Sequence, residues 1–134
     1  MRVVLDTNVL LPSIRRRSRH RWLFDALLDG AYTLVASMPI LLEYEKVIGK
    51  RTRPEIAQSV LGALLALPRV EPRFHWRLIA ADPDDDKFVD ACLAAGADAL
   101  VTHDTHFDVL ADLDFPLVTL LSAAAFQRAL QQAE

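Results

Sequence analysis

The chain has 134 residues, 52% of them hydrophobic and 25% charged, which favours one compact domain over residues 1–134 and excludes a disordered or collagen-like protein. Its single cysteine, Cys92, excludes an internal disulfide and a cysteine-based zinc cluster. The net charge is only −3, and no secretory signal or long uncharged apolar run is visible, so we expect a soluble cytoplasmic protein without a membrane segment.

The hydrophobic pattern predicts strands that alternate with helices. Residues 2–5 are apolar and β-branched, as in a buried strand, and the trio Asp6-Thr7-Asn8 is typical of an exit into a loop, here an arginine-rich one. The other predicted elements are a helix over 21–28, a strand over 32–36, helices over 38–50 and 55–67, an ambiguous segment over 70–79 (a short strand and loop, or part of a helix), a helix over 84–95, a strand over 99–102, a short turn or helix, a strand over 117–120 and a helix over 123–131. Because the strands are solidly apolar, the sequence predicts an α/β fold with a parallel sheet covered by helices on each face.

Acidic residues follow two of the predicted strands, where ligands bind in open parallel sheets. Asp6 follows the first strand, and Asp104 follows the strand over 99–102. Two carboxylates at one edge of a sheet repel each other unless a cation lies between them. An oxygen-rich site of this kind suits Mg²⁺ or Mn²⁺.

Two further carboxylates can reach the same edge. Asp86 lies in the first turn of its helix and shares a face with apolar residues three and seven positions later, which is unusual for an unpaired aspartate. Glu43 and Glu45 flank the apolar stripe of their helix about equally, so periodicity does not choose between them. Taken singly, these acids are explained by turns, helix caps or lysine pairing, so the hypothesis of a metal site depends on their convergence from four segments.

Basic residues are concentrated in two parts of the chain. Five arginines lie within seven residues: Arg15, Arg16, Arg17, Arg19 and Arg21. A second group comprises Lys46, Lys50, Arg51 and Arg53. The arginine run is either a solvated loop or a nucleic-acid contact. His103 and His106, beside Asp104, are interpreted as loop residues that could assist the site.

Four motifs, in order, resemble those of the PIN-domain ribonucleases. Residues 3–10 resemble the family's first strand with its terminal Asp-Thr-Asn, and residues 37–44 resemble the second acidic motif, which favours Glu43 over Glu45. Residues 82–91 and 96–104 resemble the third and fourth motifs at the usual spacing. No single motif is specific, but the four in order are quite specific together, and the similarity covers essentially the whole chain.

This resemblance implies a three-layer α/β/α sandwich with a five-stranded parallel sheet. It also implies a ribonuclease that cleaves single-stranded RNA with Mg²⁺ or Mn²⁺ as cofactor. Carried over by position, the catalytic and metal-binding acids are Asp6, Glu43, Asp86 and Asp104, with Asp85 as the substitute for Asp86 because relatives often have Asn there. Supporting hydrogen bonds to metal waters or a phosphate oxygen would come from Thr7, Asn8 and Thr102, and the arginine run (Arg15, Arg16, Arg17, Arg19, Arg21) would contact the RNA backbone.

The resemblance also implies partners, because many small members of the family are toxins of bacterial type II toxin–antitoxin pairs. We therefore expect a small antitoxin protein and a homodimer. Two alternatives stay open: another magnesium-dependent phosphoryl-transfer enzyme, and a non-catalytic PIN-like module that binds RNA or protein. A phospho-accepting receiver domain would need a lysine late in the chain, and no lysine follows Lys87.

Overall fold

The computed structural model describes residues 1–133. The strands are β1 (Arg2–Leu5), β2 (Thr33–Leu34), β3 (Ala99–Val101) and β4 (Leu120–Leu121). The α-helices are α1 (Thr7–Ser13), α2 (Arg21–Leu28), α3 (Met38–Arg51), α4 (Pro54–Leu65), α5 (Asp86–Ala95) and α6 (Ala123–Gln132). Short 3₁₀ segments cover Pro83–Asp85 and Thr105–Asp112. No helix within residues 1–133 is long and apolar enough to cross a bilayer.

The sheet is parallel throughout, in the order β2-β1-β3-β4. Its two central strands, β1 and β3, are fully buried along Val3–Leu5 and Ala99–Val101. Strands buried on both faces must be covered by helices on both faces, which confirms the predicted α/β architecture. The α5 helix packs on β1 and β3, and α6 contacts β4.

The prediction of a five-stranded sheet is wrong, because the sheet within residues 1–133 has four strands. Beside β2, the backbone forms only one isolated parallel bridge, between Ala36 and Arg69. The following stretch, residues 71–79, is neither helix nor strand. Its polar and proline-containing sequence lacks the continuous apolar pattern that a further strand would need.

A short helix, α1, begins where the sequence predicted a loop. Asp6 is its N-cap, and the Asp6 carboxylate accepts a hydrogen bond from the Asn8 backbone amide at 3.5 Å. An Asx turn and a helix N-cap use the same hydrogen bond, so the pattern Asp-Thr-Asn fits both. This helix contains Pro12 and ends one residue later, at Ser13. Its position matters because it turns Thr7 toward α3.

The two tryptophans pack in different surroundings. Trp22 packs against the buried ring of Phe126 at a centroid distance of 6.2 Å. Trp76 instead lies between Phe74 and Phe115, with ring centroids 4.8 and 5.6 Å away. Phe74 and Phe115 are 64% and 79% exposed, so these three rings form an apolar surface cluster.

Candidate metal centre

The C-terminal ends of β1 and β3 bring Asp6 and Asp104 to one edge of the sheet. Leu5 is paired with Val101, and the Asp6 backbone amide donates to the Val101 carbonyl at 3.0 Å. The Thr102 hydroxyl donates to Asp6 Oδ2 at 2.8 Å and accepts from the Asp104 backbone amide at 3.0 Å. One threonine side chain therefore links the two acids and fixes the orientation of the Asp6 carboxylate.

Asp6 is 4% exposed, which is unusual for an aspartate outside an ion pair. Burial raises the pKa of the Asp6 carboxyl. Hydrogen bonds from Thr102 and Asn8 lower this pKa, and the nearby carboxylates of Asp104 and Glu43 raise it further. A cation bound beside these acids would lower the pKa of Asp6, because it would stabilise the ionised carboxylate.

Glu43 is held toward the same edge by contacts from two other elements. The Thr7 hydroxyl, on α1, donates to Glu43 Oε2. Lys87 Nζ, on α5, lies 2.8 Å from Glu43 Oε1. Glu45, in contrast, is exposed. The structure therefore places Glu43, and not Glu45, beside the acids that follow β1 and β3.

The third motif presents two adjacent aspartates in different directions. Asp86 Oδ1 accepts a hydrogen bond from the Ile79 backbone amide at 2.9 Å, so this side chain ties the segment before α5 to the helix. The Asp85 side chain is 14% exposed, and its carboxylate faces Asp6 and Asp104, which together with Glu43 and Asp85 form the acidic cluster. Its Oδ2 atom is buried, and the Nδ1 atom of His106 lies 3.5 Å away, at the outer limit of a hydrogen bond. The structure brings Asp85 to the cluster and gives Asp86 a structural contact.

Burial raises the pKa of Asp85 to about 6. The carboxylate of Asp82 adds to this increase, as do those of Asp6 and Asp104, whereas a hydrogen bond from His106 opposes it. The effect of Asp6 and Asp104 on this pKa indicates that acids from three separate segments share one electrostatic environment. A buried carboxylate oxygen surrounded by other acids is a suitable position for a cation.

Two residues of this environment were not selected as ligands from the sequence. The Nδ1 atom of His106 lies 3.4 Å from Asp104 Oδ1 and 3.5 Å from Asp85 Oδ2, so this imidazole connects the third and fourth motifs. Asp82, Asp85 and His106 each offer a ligand atom, and these atoms all lie within 4.8 Å of one another. His106 reaches Asp85 because the chain enters a 3₁₀ segment at Thr105.

Lys87 is a further contributor that the sequence analysis did not assign to the site. Its ammonium group contacts Glu43 at 2.8 Å and Asp84 Oδ2 at 3.0 Å, and the side chain is 13% exposed. Burial alone would lower the pKa of Lys87, but its hydrogen bonds to Glu43 and Asp84 raise it overall. The only sequence signal for this role was a lysine directly after a run of three aspartates.

The other predicted residues have separate surroundings. His103 Nε2 accepts from the Ala123 backbone amide at 3.1 Å, so His103 supports the start of α6. Arg21 contacts Asp25 at 2.9 Å and lies over the Phe24 ring, so its guanidinium group interacts with residues of its own helix, α2. The remaining members of the arginine run are exposed: Arg15, Arg16, Arg17 and Arg19.

The α/β fold agrees with the comparison to known proteins. The PIN domain family matches residues 2–106 of the chain, and the chain belongs to this family. No curated protein sequence matches it.

Solved structures with the same fold are distant in sequence. VapBC2 from Rickettsia felis, bound to a DNA fragment from its promoter, is 19% identical with a TM-score of 0.62, over 91% of this chain and 98% of that one. VapBC-1 from nontypeable Haemophilus influenzae is 17% identical with a TM-score of 0.61, over 92% and 99%. FitAcB from Neisseria gonorrhoeae is 15% identical with a TM-score of 0.54, over 91% and 98%.

Proposed function

We propose that this protein is a metal-dependent endoribonuclease that cleaves single-stranded RNA in the cytoplasm, as the toxin of a bacterial toxin–antitoxin pair. The observation that carries the proposal is the convergence of Asp6, Glu43, Asp85 and Asp104 at one edge of the sheet, each from a different segment. Such a group of acids is costly without a cation, and the raised pKa values of Asp6 and Asp85 express that cost.

The donor set fits Mg²⁺ or Mn²⁺. Carboxylate oxygens are the preferred ligands of both ions. The buried Oδ2 of Asp85 supplies one such oxygen within the reach of Asp82 and His106. We assign Asp6, Asp85 and Asp104 as the principal ligands, so Asp85 takes the role first given to Asp86. A bound divalent ion would acidify a water molecule and neutralise charge on the phosphate during in-line displacement.

The chain's own residues prepare this chemistry. Thr102 holds the Asp6 carboxylate, and Thr7 together with Lys87 holds that of Glu43. We assign to Glu43, whose two carboxylate oxygens are held by these contacts, the role of orienting the attacking water or holding a second ion. The backbone amide of Asn8 donates to Asp6 and so keeps this acid at the start of α1.

The toxin assignment and its protein partners rest on fold similarity and on surface character. The family resemblance associates small PIN-domain proteins with toxin–antitoxin pairs, and we extend that association to this chain, whose fold is similar to those of the VapBC structures. An antitoxin and a second copy of the chain would both need apolar surface for docking. The exposed rings of Phe74 and Phe115, next to Trp76, supply such surface.

A cleavage assay with matched variants tests the enzymatic proposal. The purified protein is incubated with a fluorescent unstructured RNA in the presence of Mn²⁺ or Mg²⁺, and we expect endonucleolytic products that disappear with EDTA. Asp6→Asn should lower the rate by more than about 100-fold, the upper end of the effect of an outer-shell change. Asp29→Asn, at an exposed position after α2, is the control and should cleave normally.

Other outcomes would support the alternatives. Intact RNA that remains bound would indicate a non-catalytic PIN module, and hydrolysis of a phosphate monoester alone would indicate a phosphatase. Unchanged cleavage by Asp6→Asn would overturn the assignment of the metal site. Co-expression with the neighbouring reading frame, followed by size-exclusion chromatography with light scattering, tests the antitoxin and the homodimer.

A further inference from the structure

A cavity of about 480 Å³ lies between the C-terminal ends of α1 and α3. Arg15 and Arg17 line it from the loop after α1, and Arg51 lines it from the last turn of α3. The other lining residues are uncharged. Two basic groups that are far apart in the sequence therefore meet around one concave surface. This juxtaposition was not visible from the sequence.

Within the described residues 1–133, the guanidinium groups of Arg15, Arg17 and Arg51 form no ion pair. The ion pairs within residues 1–133 involve other basic groups: Arg21, His75, Lys87 and His106. The carboxyl end of a helix carries a partial charge of about −0.5, so the ends of α1 and α3 offset about one unit together. Three arginines then leave the cavity with a net charge of about +2, which favours an anion.

The position of the cavity favours one particular anion. Both helices run from the acidic cluster to the cavity: α1 starts directly after Asp6, and α3 continues from Glu43 to Arg51. Eight residues of α-helix at a rise of about 1.5 Å span about 12 Å. The hydrogen bond from Thr7 to Glu43 joins the two helices near the acidic end. A nucleic-acid backbone that lies at the acidic cluster and extends along these two helices would bring its phosphates to the arginines.

We propose that Arg15, Arg17 and Arg51 form a binding site for the phosphodiester backbone of the RNA, about 12 Å from the cleavage centre. This inference rests on the proposed function for the identity of the nucleic acid. The planar guanidinium group can donate two parallel hydrogen bonds to phosphate oxygens. Ser18 Oγ, which accepts from the His20 amide, keeps its own proton for a further bond to phosphate. The cavity would thus set the direction of the RNA across the acids.

The test is a binding measurement without catalysis. A fluorescein-labelled single-stranded RNA is titrated with the protein in EDTA, and fluorescence anisotropy is recorded at several salt concentrations. Arg51→Gln should weaken binding about tenfold, as expected for the loss of a charge-assisted contact. It should also reduce the slope of log K against log salt by about 0.7, the value for one phosphate contact on a single strand. Arg15→Gln and Arg17→Gln should behave similarly.

Two variants with the same change in charge serve as controls. Arg53→Gln alters an exposed position two residues after Arg51 that does not line the cavity, and Arg128→Gln alters the exposed face of α6. Both should change the affinity less than twofold. An equal effect of Arg53→Gln and Arg51→Gln would indicate diffuse electrostatic attraction and contradict the cavity site, and unaltered binding by Arg51→Gln would also contradict it.

The cleavage assay separates this inference from the proposed function. If the wild type cleaves RNA and Arg51→Gln binds RNA normally, only the proposed RNA-binding role of the cavity is contradicted. If the protein binds RNA through these arginines but does not cleave it, only the proposed nuclease activity is contradicted. Protein that neither binds nor cleaves RNA contradicts both. Circular dichroism of each variant verifies folding, which we expect to be preserved because all substituted arginines are exposed.

Discussion

Lys87 Nζ lies 2.8 Å from Glu43 Oε1, and this ion pair connects α5 to α3 beside the acidic cluster. The same ammonium group contacts Asp84 Oδ2 at 3.0 Å, so one lysine serves two carboxylates. With only 13% and 24% of the Lys87 and Glu43 side chains exposed, solvent screens this pair less than an ordinary surface pair. Lys87 therefore supplies part of the positive charge that the cluster needs in the absence of metal.

Replacement of this lysine should destabilise the metal-free protein. In EDTA, Lys87→Met should lower the free energy of unfolding by about 1–2 kcal/mol, because a partly buried carboxylate loses its partner. Saturating Mn²⁺ should restore more stability to Lys87→Met than to the wild type, since the ion would replace the missing charge. Urea denaturation measures both effects. Lys46→Met, on the exposed part of α3, is the control, and equal stability of the two variants would contradict the prediction.

Substitution of the adjacent aspartates should separate the metal ligand from the structural residue. Asp85→Asn should lower RNA cleavage by more than about 100-fold, because it removes a ligand and not an outer-shell partner. Asp86→Asn keeps an amide oxygen that can accept from the Ile79 amide, so cleavage should fall less than about fivefold. Rates at saturating Mn²⁺, together with the Mn²⁺ affinity, check the assignment. A severe loss in Asp86→Asn with normal activity in Asp85→Asn would restore Asp86 as the ligand.

Much of the site was predictable because it depends on strand ends. Asp6 follows one predicted strand and Asp104 follows another, and in a parallel sheet these positions lie at the same edge. The orientation of the third motif was not predictable, because it depends on how Pro83–Asp85 form a 3₁₀ turn before α5. A change in helical type rotates successive side chains differently, so the spacing alone could not choose between Asp85 and Asp86.

The parts of the fold that sequence analysis missed depend on tertiary contacts. The start of α1 at Thr7 shares its hydrogen-bond pattern with a turn, so local sequence did not distinguish the two. The meeting of Arg15 and Arg17 with Arg51 requires the packing of α1 against α3, which has no signature in either segment. His106 reaches Asp85 only once the chain after β3 has folded back in its 3₁₀ segment.

The two histidines after β3 should differ in their effect on metal binding. His106 contacts the carboxylates of Asp85 and Asp104, whereas His103 accepts a hydrogen bond at the start of α6. His106→Ala should weaken Mn²⁺ binding about 10-fold to 100-fold, the range for partners that orient metal ligands. His103→Ala should leave the affinity unchanged and lower the unfolding temperature slightly. Isothermal titration calorimetry gives the affinities, and an unaltered value for His106→Ala would remove His106 from the site.

The raised pKa of Asp85 should make the stability of the metal-free protein depend on pH. Because the pKa is about 6 in the folded protein and 3.8 for a free aspartate, the folded state binds this proton more tightly. The resulting stabilisation is complete below pH 3.8 and is lost as the pH rises to about 6. Asp85→Asn stays neutral, so its stability relative to the wild type should increase over the same interval and level off above it.

Urea denaturation in EDTA at several pH values measures this difference, with Asp29→Asn as the matched control. Asp6, whose pKa is also raised by burial, should contribute in the same direction in an Asp6→Asn series. Mn²⁺ should reverse the trend in the wild type, because the metal binds the ionised carboxylate and its stabilisation grows as the proton leaves. A pH-independent difference between Asp85→Asn and the wild type would mean that the Asp85 carboxylate is well solvated and does not share the electrostatic environment of Asp6 and Asp104.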